Sequence, residues 1–485
     1  MVDIWCIPVN VEFTGPKTVR SAKATKKITS MQWAGVLAIT GGLHISPTDT
    51  LNTSTFLLPA QLMIKKWCIR AQVRMATLPT DHPLFKVVNW KRACATKRHR
   101  SPLNTLANLT ITDTRRIEKI PTIGRNPSST GELPFHIRIP VDKKALAQEA
   151  KNASEEIQVF TDGSAQGGKV GAATILIRNN RPICILHYHL GPESEHTIHE
   201  AELAGILLAA YLIRTEKQGP TSCSIAVDNQ ATLRAFNSEL RKPGHHLTWE
   251  VLLLATRIQK HRSKNKYSLM LRWTAGHISI AGNEKADNEA KKAVAGLSSD
   301  KELLPAYLRK PLLINPSAVK QKLIDKLKKD WSKEWLKSKR GKIMSKIDNT
   351  TPSNKFIKTI SNAKLSHKAS SRIVQLRLWH VPLNSYLFKF QRMDKANCPA
   401  CSTNNEDIVH FLLHCTHYAF ERWALAKHVK KKQKSMTIET LLGDPELAIP
   451  LANYINGTSC FKEKPGEQTL SHNNTTTRET QHRQT

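Results

Sequence analysis

Ile157-Gln158-Val159-Phe160-Thr161-Asp162-Gly163-Ser164 is the stretch that decides the fold: a short apolar strand running straight into an acid and a glycine. A Gly-rich turn at Gly167-Gly168 leads into Val170 to Ile177, and Asn179-Asn180-Arg181-Pro182 turns the chain into Ile183 to Leu190, which predicts a three-strand antiparallel meander. Thr197 to Arg214 reads as a helix with Leu203, Ile206, Leu207, Ala210 and Ile213 on one face. Ser224 to Val227 is a fourth strand, reached through that crossover helix and so parallel to the first. Helices around Gln230 to Leu240 and Leu247 to His261, a fifth strand from Tyr267 to Trp273 and a last helix from Asn283 to Ala295 complete the pattern. The order predicts an α/β fold, a five-stranded mixed sheet flanked by helices.

Four acids fall at telling places on this frame. Asp162 leaves the first strand and Asp228 ends the apolar run of the fourth, so parallel neighbours would carry both to one edge of the sheet. Glu202 lies on the intervening helix and Asp287 near the start of the last one. Like charges gathered so closely repel and raise one another's pKa, and divalent cations relieve this. Four such acids suit two metal ions acting on a phosphate, with His277, on the loop after the fifth strand, placed to move a proton. Singly each has a plainer reading: Asp162-Gly163 as a turn pair, Asp228-Asn229 as a helix cap, Asp287 as a first-turn carboxylate.

Charge points to the same class of partner. The 485 residues hold 73 Lys plus Arg against 39 Asp plus Glu, a formal net charge of +34, which favours a polyanion. From Glu155 to Leu297 there are 17 basic and 14 acidic residues, so the excess lies almost entirely in the flanks. No signal peptide or bilayer-length apolar run is evident, and the nine cysteines are unevenly spread, which predicts an intracellular chain, nuclear or cytoplasmic, rather than a secreted disulfide scaffold.

Phe160-Thr161-Asp162-Gly163-Ser164, Glu200-Ala201-Glu202-Leu203, Val227-Asp228-Asn229, Trp273-Thr274-Ala275-Gly276-His277 and Gly282-Asn283-Glu284-Lys285-Ala286-Asp287 together resemble type 1 ribonuclease H over residues 155–297. The resemblance implies a Mg²⁺-dependent endonuclease that cleaves the RNA strand of an RNA–DNA hybrid, with two Mg²⁺ ions, replaceable by Mn²⁺, on Asp162, Glu202, Asp228 and Asp287, and His277 as the flexible-loop histidine. It implies a nucleic-acid partner, with no membrane and no small-molecule substrate. Glu200 competes with Glu202 as ligand, although Leu203 and the family spacing favour Glu202. Ile198 and His199 stand where some members carry a substrate-binding Asn, and Arg241, Lys242, His245 and His246 replace a longer basic handle.

Outside that domain, Cys398, Cys401, His410 and Cys415 have the spacing C-x2-C-x8-H-x4-C, which predicts a closed structural Zn²⁺ site, with His414 and His417 as competing nitrogen ligands. Gln375-Leu376-Arg377 and His380 to Leu387, ending in this unit, resemble the tail after ribonuclease H in non-LTR retrotransposon polyproteins. Leu37 to Leu43, Ser46-Pro47-Thr48 and Leu78 to Leu84 resemble the end of their reverse transcriptase; with no Asp-Asp pair in the chain, no DNA synthesis is expected. The predicted organisation is a helical reverse-transcriptase remnant over 1–90, with a helix from Leu57 to Leu78, and a basic linker over 91–154. The ribonuclease H domain follows, then a basic helical segment over 298–395 with the Val319, Leu323, Leu327, Trp331, Trp335 stripe. A zinc unit over 396–430 and a largely disordered tail over 431–485, polar from Phe461, complete it. A catalytically silent, nucleic-acid-binding remnant of such an element is the alternative function.

Overall fold

Six strands form one mixed sheet in the order β1-β6-β5-β2-β3-β4. They are β1 (His136–Arg138), β2 (Ile157–Gln166), β3 (Lys169–Arg178), β4 (Arg181–Pro192), β5 (Ser222–Val227) and β6 (Ser268–Trp273). The computed structural model of the chain describes residues 19–93, 115–121, 132–140, 155–179, 181–216, 222–237, 242–262, 268–274 and 280–461. They fall into two compact units, one within Lys66–Asp325 and one within Pro8–Lys65 and Lys326–Thr485.

In the first unit, β2, β3 and β4 form the antiparallel meander, and β5 lies parallel to β2. Side chains of β2 alternate between faces, as a strand's must. Ile157 and Val159 join the core under the Ile198–Thr215 helix, while Phe160 packs with Ile175, Ala226 and Ala286 beneath the Ala281–Ala295 helix. Helices thus cover both faces.

A sixth strand joins the five expected. β1 comes from the stretch read as a basic linker and pairs in parallel with β6, covering an edge that would otherwise be open. Leu133, Phe135, Ile137 and Ile139 alternate in the sequence, and the Phe135 ring meets Phe236 edge-on at 5.2 Å. Glu118, also from that stretch, is fully buried and accepts the Gly244 amide at 2.7 Å. A polar linker would offer neither an apolar alternation nor a buried acid.

The second unit is helical. Its core gathers Val36, Leu51, Trp335, Ile373, Phe411 and Leu451. A helix covers Ala60–Ala76 where one was expected from Leu57 to Leu78, and another covers Pro316–Lys337. The disordered tail expected from residue 431 is corrected: Ile438–Gly443 and Ala448–Thr458 are helices, held because Leu441, Leu442, Leu451 and Ile455 are buried in that core. Residues 462–485 lie outside the described residues. No helix among the described residues is long and apolar enough to cross a membrane.

Candidate active site and metal centres

Asp162 and Asp228 meet because of register. Thr161 of β2 pairs with Val227 of β5, so the two acids are the next residues on parallel neighbours. There β2 loses its β5 partner but stays paired to β3, with Asp162 opposite Ala173. Asp162 is therefore held within a strand and not at the strand end expected. On the other side, Asn229 caps the Gln230–Ala235 helix by accepting the amides of Ala231 and Thr232 at 2.9 and 3.2 Å. That leaves the Asp228 carboxylate free of capping. The Trp273 indole donates to the Asp228 carbonyl at 2.9 Å and fixes its backbone.

Glu202 arrives from above. Gly163 faces the Ile198–Thr215 helix, and a Cβ there would lie 2.6 Å from the Glu202 amide nitrogen, so only glycine lets the helix settle this close. Thr197 and Glu200 form a reciprocal capping box at the start of the same helix. Glu200 is fully buried, with His196 Nδ1 3.9 Å and His246 Nε2 3.6 Å from its carboxylate oxygens; burial opposes its ionisation, but those imidazoles and the Thr197 amide outweigh it and hold the carboxyl at about 2. Glu200 is a structural anion, while Glu202 faces the acids.

Carboxylate oxygens of Asp162, Glu202 and Asp228 lie within 4.8 Å of one another. Burial, then the charges of Asp228 and Asp287, push Asp162 up to about 7. Burial with Asp228 and Asp162 raises Glu202 well above the usual range, and burial also raises Asp228. Glu202 Oε2 is buried without a hydrogen-bond partner. An orphaned oxygen among mutually repelling acids fits a divalent cation. Asp287 stands outside this trio, half-exposed, with Lys291 Nζ 2.7 Å from its Oδ2. Lys291 was not singled out in the sequence, although its i+4 spacing from Asp287 was visible. His277 lies outside the described residues.

Residues 154–295 match the RNase H family model. Solved structures similar to part of this chain include the N-terminal RNase H domain of a Mycobacterium tuberculosis protein fused to maltose-binding protein. That match has 16% identity and TM-score 0.23, over 29% of this chain and 95% of that one. Another is the solution structure of the foamy virus RNase H domain, at 17% identity and TM-score 0.24, over 30% and 98%. A third is LC11 RNase H1 in complex with an RNA/DNA hybrid, at 15% identity and TM-score 0.22, over 29% and 96%. No curated protein matches the chain.

A second ligand group lies outside residues 154–295. Donor atoms of Cys398, Cys401, His410 and Cys415 lie within 4.8 Å of one another. Cys398 and Cys415 sulfurs are 3.8 Å apart. Two sulfurs about 2.3 Å from a shared tetrahedral centre would be separated by about that much. The Cys398 amide bonds the Asn404 carbonyl at 2.8 Å to close the knuckle, and the Cys415 amide bonds the His410 carbonyl at 2.8 Å in a wide turn that turns both ligands inward. Burial pushes Cys398 up, whereas the Thr403 hydroxyl and amide hold Cys401 down. His414 and His417 are exposed and stand outside the group. Three sulfurs and one imidazole suit Zn²⁺.

Proposed function

We propose that this chain is an endonuclease hydrolysing the RNA strand of RNA–DNA hybrids, with Asp162, Glu202, Asp228 and Asp287 holding two Mg²⁺ ions and Cys398, Cys401, His410 and Cys415 a structural Zn²⁺. The supporting observation is the convergence of Asp162, Glu202 and Asp228 within 4.8 Å inside a domain that matches RNase H. When bound, such a metal pair activates water and stabilises the leaving oxygen of an in-line displacement at phosphorus. The chain's own residues supply position and charge. Buried carboxyls raised toward neutrality exchange their shared protons for cations rather than for water-exposed counterions. Asp287 completes the set by turning from Lys291, since their exposed contact is weak. His277 is assigned proton transfer to the departing oxygen. The basic flanks grip the phosphate backbone, which gives affinity without sequence preference.

The chain is read as the ribonuclease H portion of a non-LTR retrotransposon polyprotein with remnants on either side. One observation favours the alternative of a silent binding module: Asp287 is paired to Lys291 and stands apart from the trio. Purified protein with Mg²⁺ and a labelled hybrid separates the two. Cleavage of the RNA strand, abolished by Asp228→Asn and absent on duplex DNA, is expected; undiminished cleavage by the variant overturns the site. Tight hybrid binding with no cleavage in either Mg²⁺ or Mn²⁺ would leave the binding module.

A further inference from the structure

The helix Ala419–Lys431 begins four residues beyond the Cys415 ligand and shows two opposed faces. Leu425 and Val429 are buried in the second unit's core. Arg422, on that same side, bonds the carbonyls of Leu412 and Cys415 and fastens the helix to the knuckle. Phe420, Trp423, Lys427, Lys430 and Lys431 recur at threes and fours along the other face, and all five are exposed.

Phe420 is 76% exposed and Trp423 56%, which burial in a monomer does not explain. Their rings are nearly parallel, 25° apart with centroids at 6.3 Å. Lys427 Nζ stands 3.4 Å over the Trp423 ring. The row is therefore two aligned aromatic planes followed by ammonium groups. By contrast, Lys432 and Lys434 nearby are engaged by Glu446 and Asp444.

We propose that this face binds single-stranded nucleic acid, with unpaired bases stacking on Phe420 and Trp423 and the following phosphates on Lys427, Lys430 and Lys431. Charge selects the partner: an apolar protein surface would not favour aromatic rings interleaved with so many ammonium groups, whereas a strand of bases and phosphates presents both complements at once. Stacking reads base faces rather than sugars, so RNA and DNA strands are bound alike. A duplex hides its base faces and gains only the charge contacts.

Binding of the full chain to labelled oligouridine, oligothymidine and a blunt duplex, followed by fluorescence anisotropy without Mg²⁺, tests this apart from any cleavage. Phe420→Ala/Trp423→Ala is expected to weaken both single strands by about tenfold or more, with the duplex unaffected. Phe420→Trp should retain affinity, and Phe420→Leu/Trp423→Leu should not restore it. Lys427, Lys430 and Lys431 changed together to Gln should reduce the salt slope on single strands by about 2. Zinc content and the circular dichroism spectrum of each variant establish that it is folded. Equal affinity of the double alanine variant for single strands, or full rescue by leucine, overturns the proposal. So does loss of concentration-dependent self-association with strand binding intact, which would make the face a contact between copies of this chain.

Discussion

Gly163 of β2 stands so close to the helix above it that a Cβ at that position would lie 2.6 Å from the amide nitrogen of Glu202. The contact sets the height of Glu202 over Asp162. Gly163→Ala must push the helix outward or bend the strand, at a cost of about 1–3 kcal/mol. Cleavage of a hybrid should fall by about a hundredfold as Glu202 shifts, with the fold retained. Melting curves and single-turnover rates on the variant check both; an unimpaired rate would show that helix height does not matter.

Asp162 predicts how the Mg²⁺-free protein responds to pH. Its carboxyl is raised from 3.8 to about 7. Between those values the native state keeps a proton that the unfolded chain has released, so this group's contribution falls as pH rises through the window and is level above it. Glu202 acts in the same direction. Asp162→Asn should remove part of that slope and stabilise the Mg²⁺-free protein above about pH 7 by on the order of 1–2 kcal/mol, with little gain near pH 4. Mg²⁺ should raise the melting temperature of the parent and not of the variant.

Much of this was legible in the sequence, because the meander, the crossover helix and the β2–β5 pair follow from apolar periods and from turn residues at Gly167-Gly168 and Asn179. β1 was obscured by its surroundings. The alternation of Leu133, Phe135, Ile137 and Ile139 lies among basic, Ser, Thr and Pro residues that dominate a composition reading. The Ile438–Gly443 helix was hidden in the same way beside Lys430 to Lys434. Convergence of Asp162 and Asp228 followed from strand register, which a sequence can suggest, whereas Glu202 joins them through the close seating of its helix over Gly163. The separate placement of Asp287 follows from where its helix packs on β2 and β3, a tertiary contact, while its pairing with Lys291 is local to the helix.

Zinc loading distinguishes three histidines. His410 lies within the ligand group, and its Nε2 is 3.3 Å from the Cys401 sulfur. Metal analysis of the intact chain should find about one equivalent of zinc. His410→Ala should lose it, or bind it far more weakly, while His414→Ala and His417→Ala should keep it. Retention by the His410 variant with loss in either of the others would reassign the nitrogen ligand.

Two glutamates one residue apart should fail in opposite ways. Glu200 is an ionised acid, held at about 2 by His196, His246 and the Thr197 amide against the cost of burial, and it closes the capping box. Glu200→Gln keeps the shape but removes the charge its partners need, so it should cost about 1–3 kcal/mol. The surviving folded fraction should still cleave. Glu202 has no such partner for its buried Oε2 and resists ionisation. Glu202→Gln should therefore leave the metal-free protein as stable as the parent or more so, yet abolish cleavage and the stabilisation by Mg²⁺. Melting curves with and without Mg²⁺, beside cleavage rates normalised to folded protein, separate the two roles. Loss of normalised activity in the Glu200 variant alone would exchange their assignments.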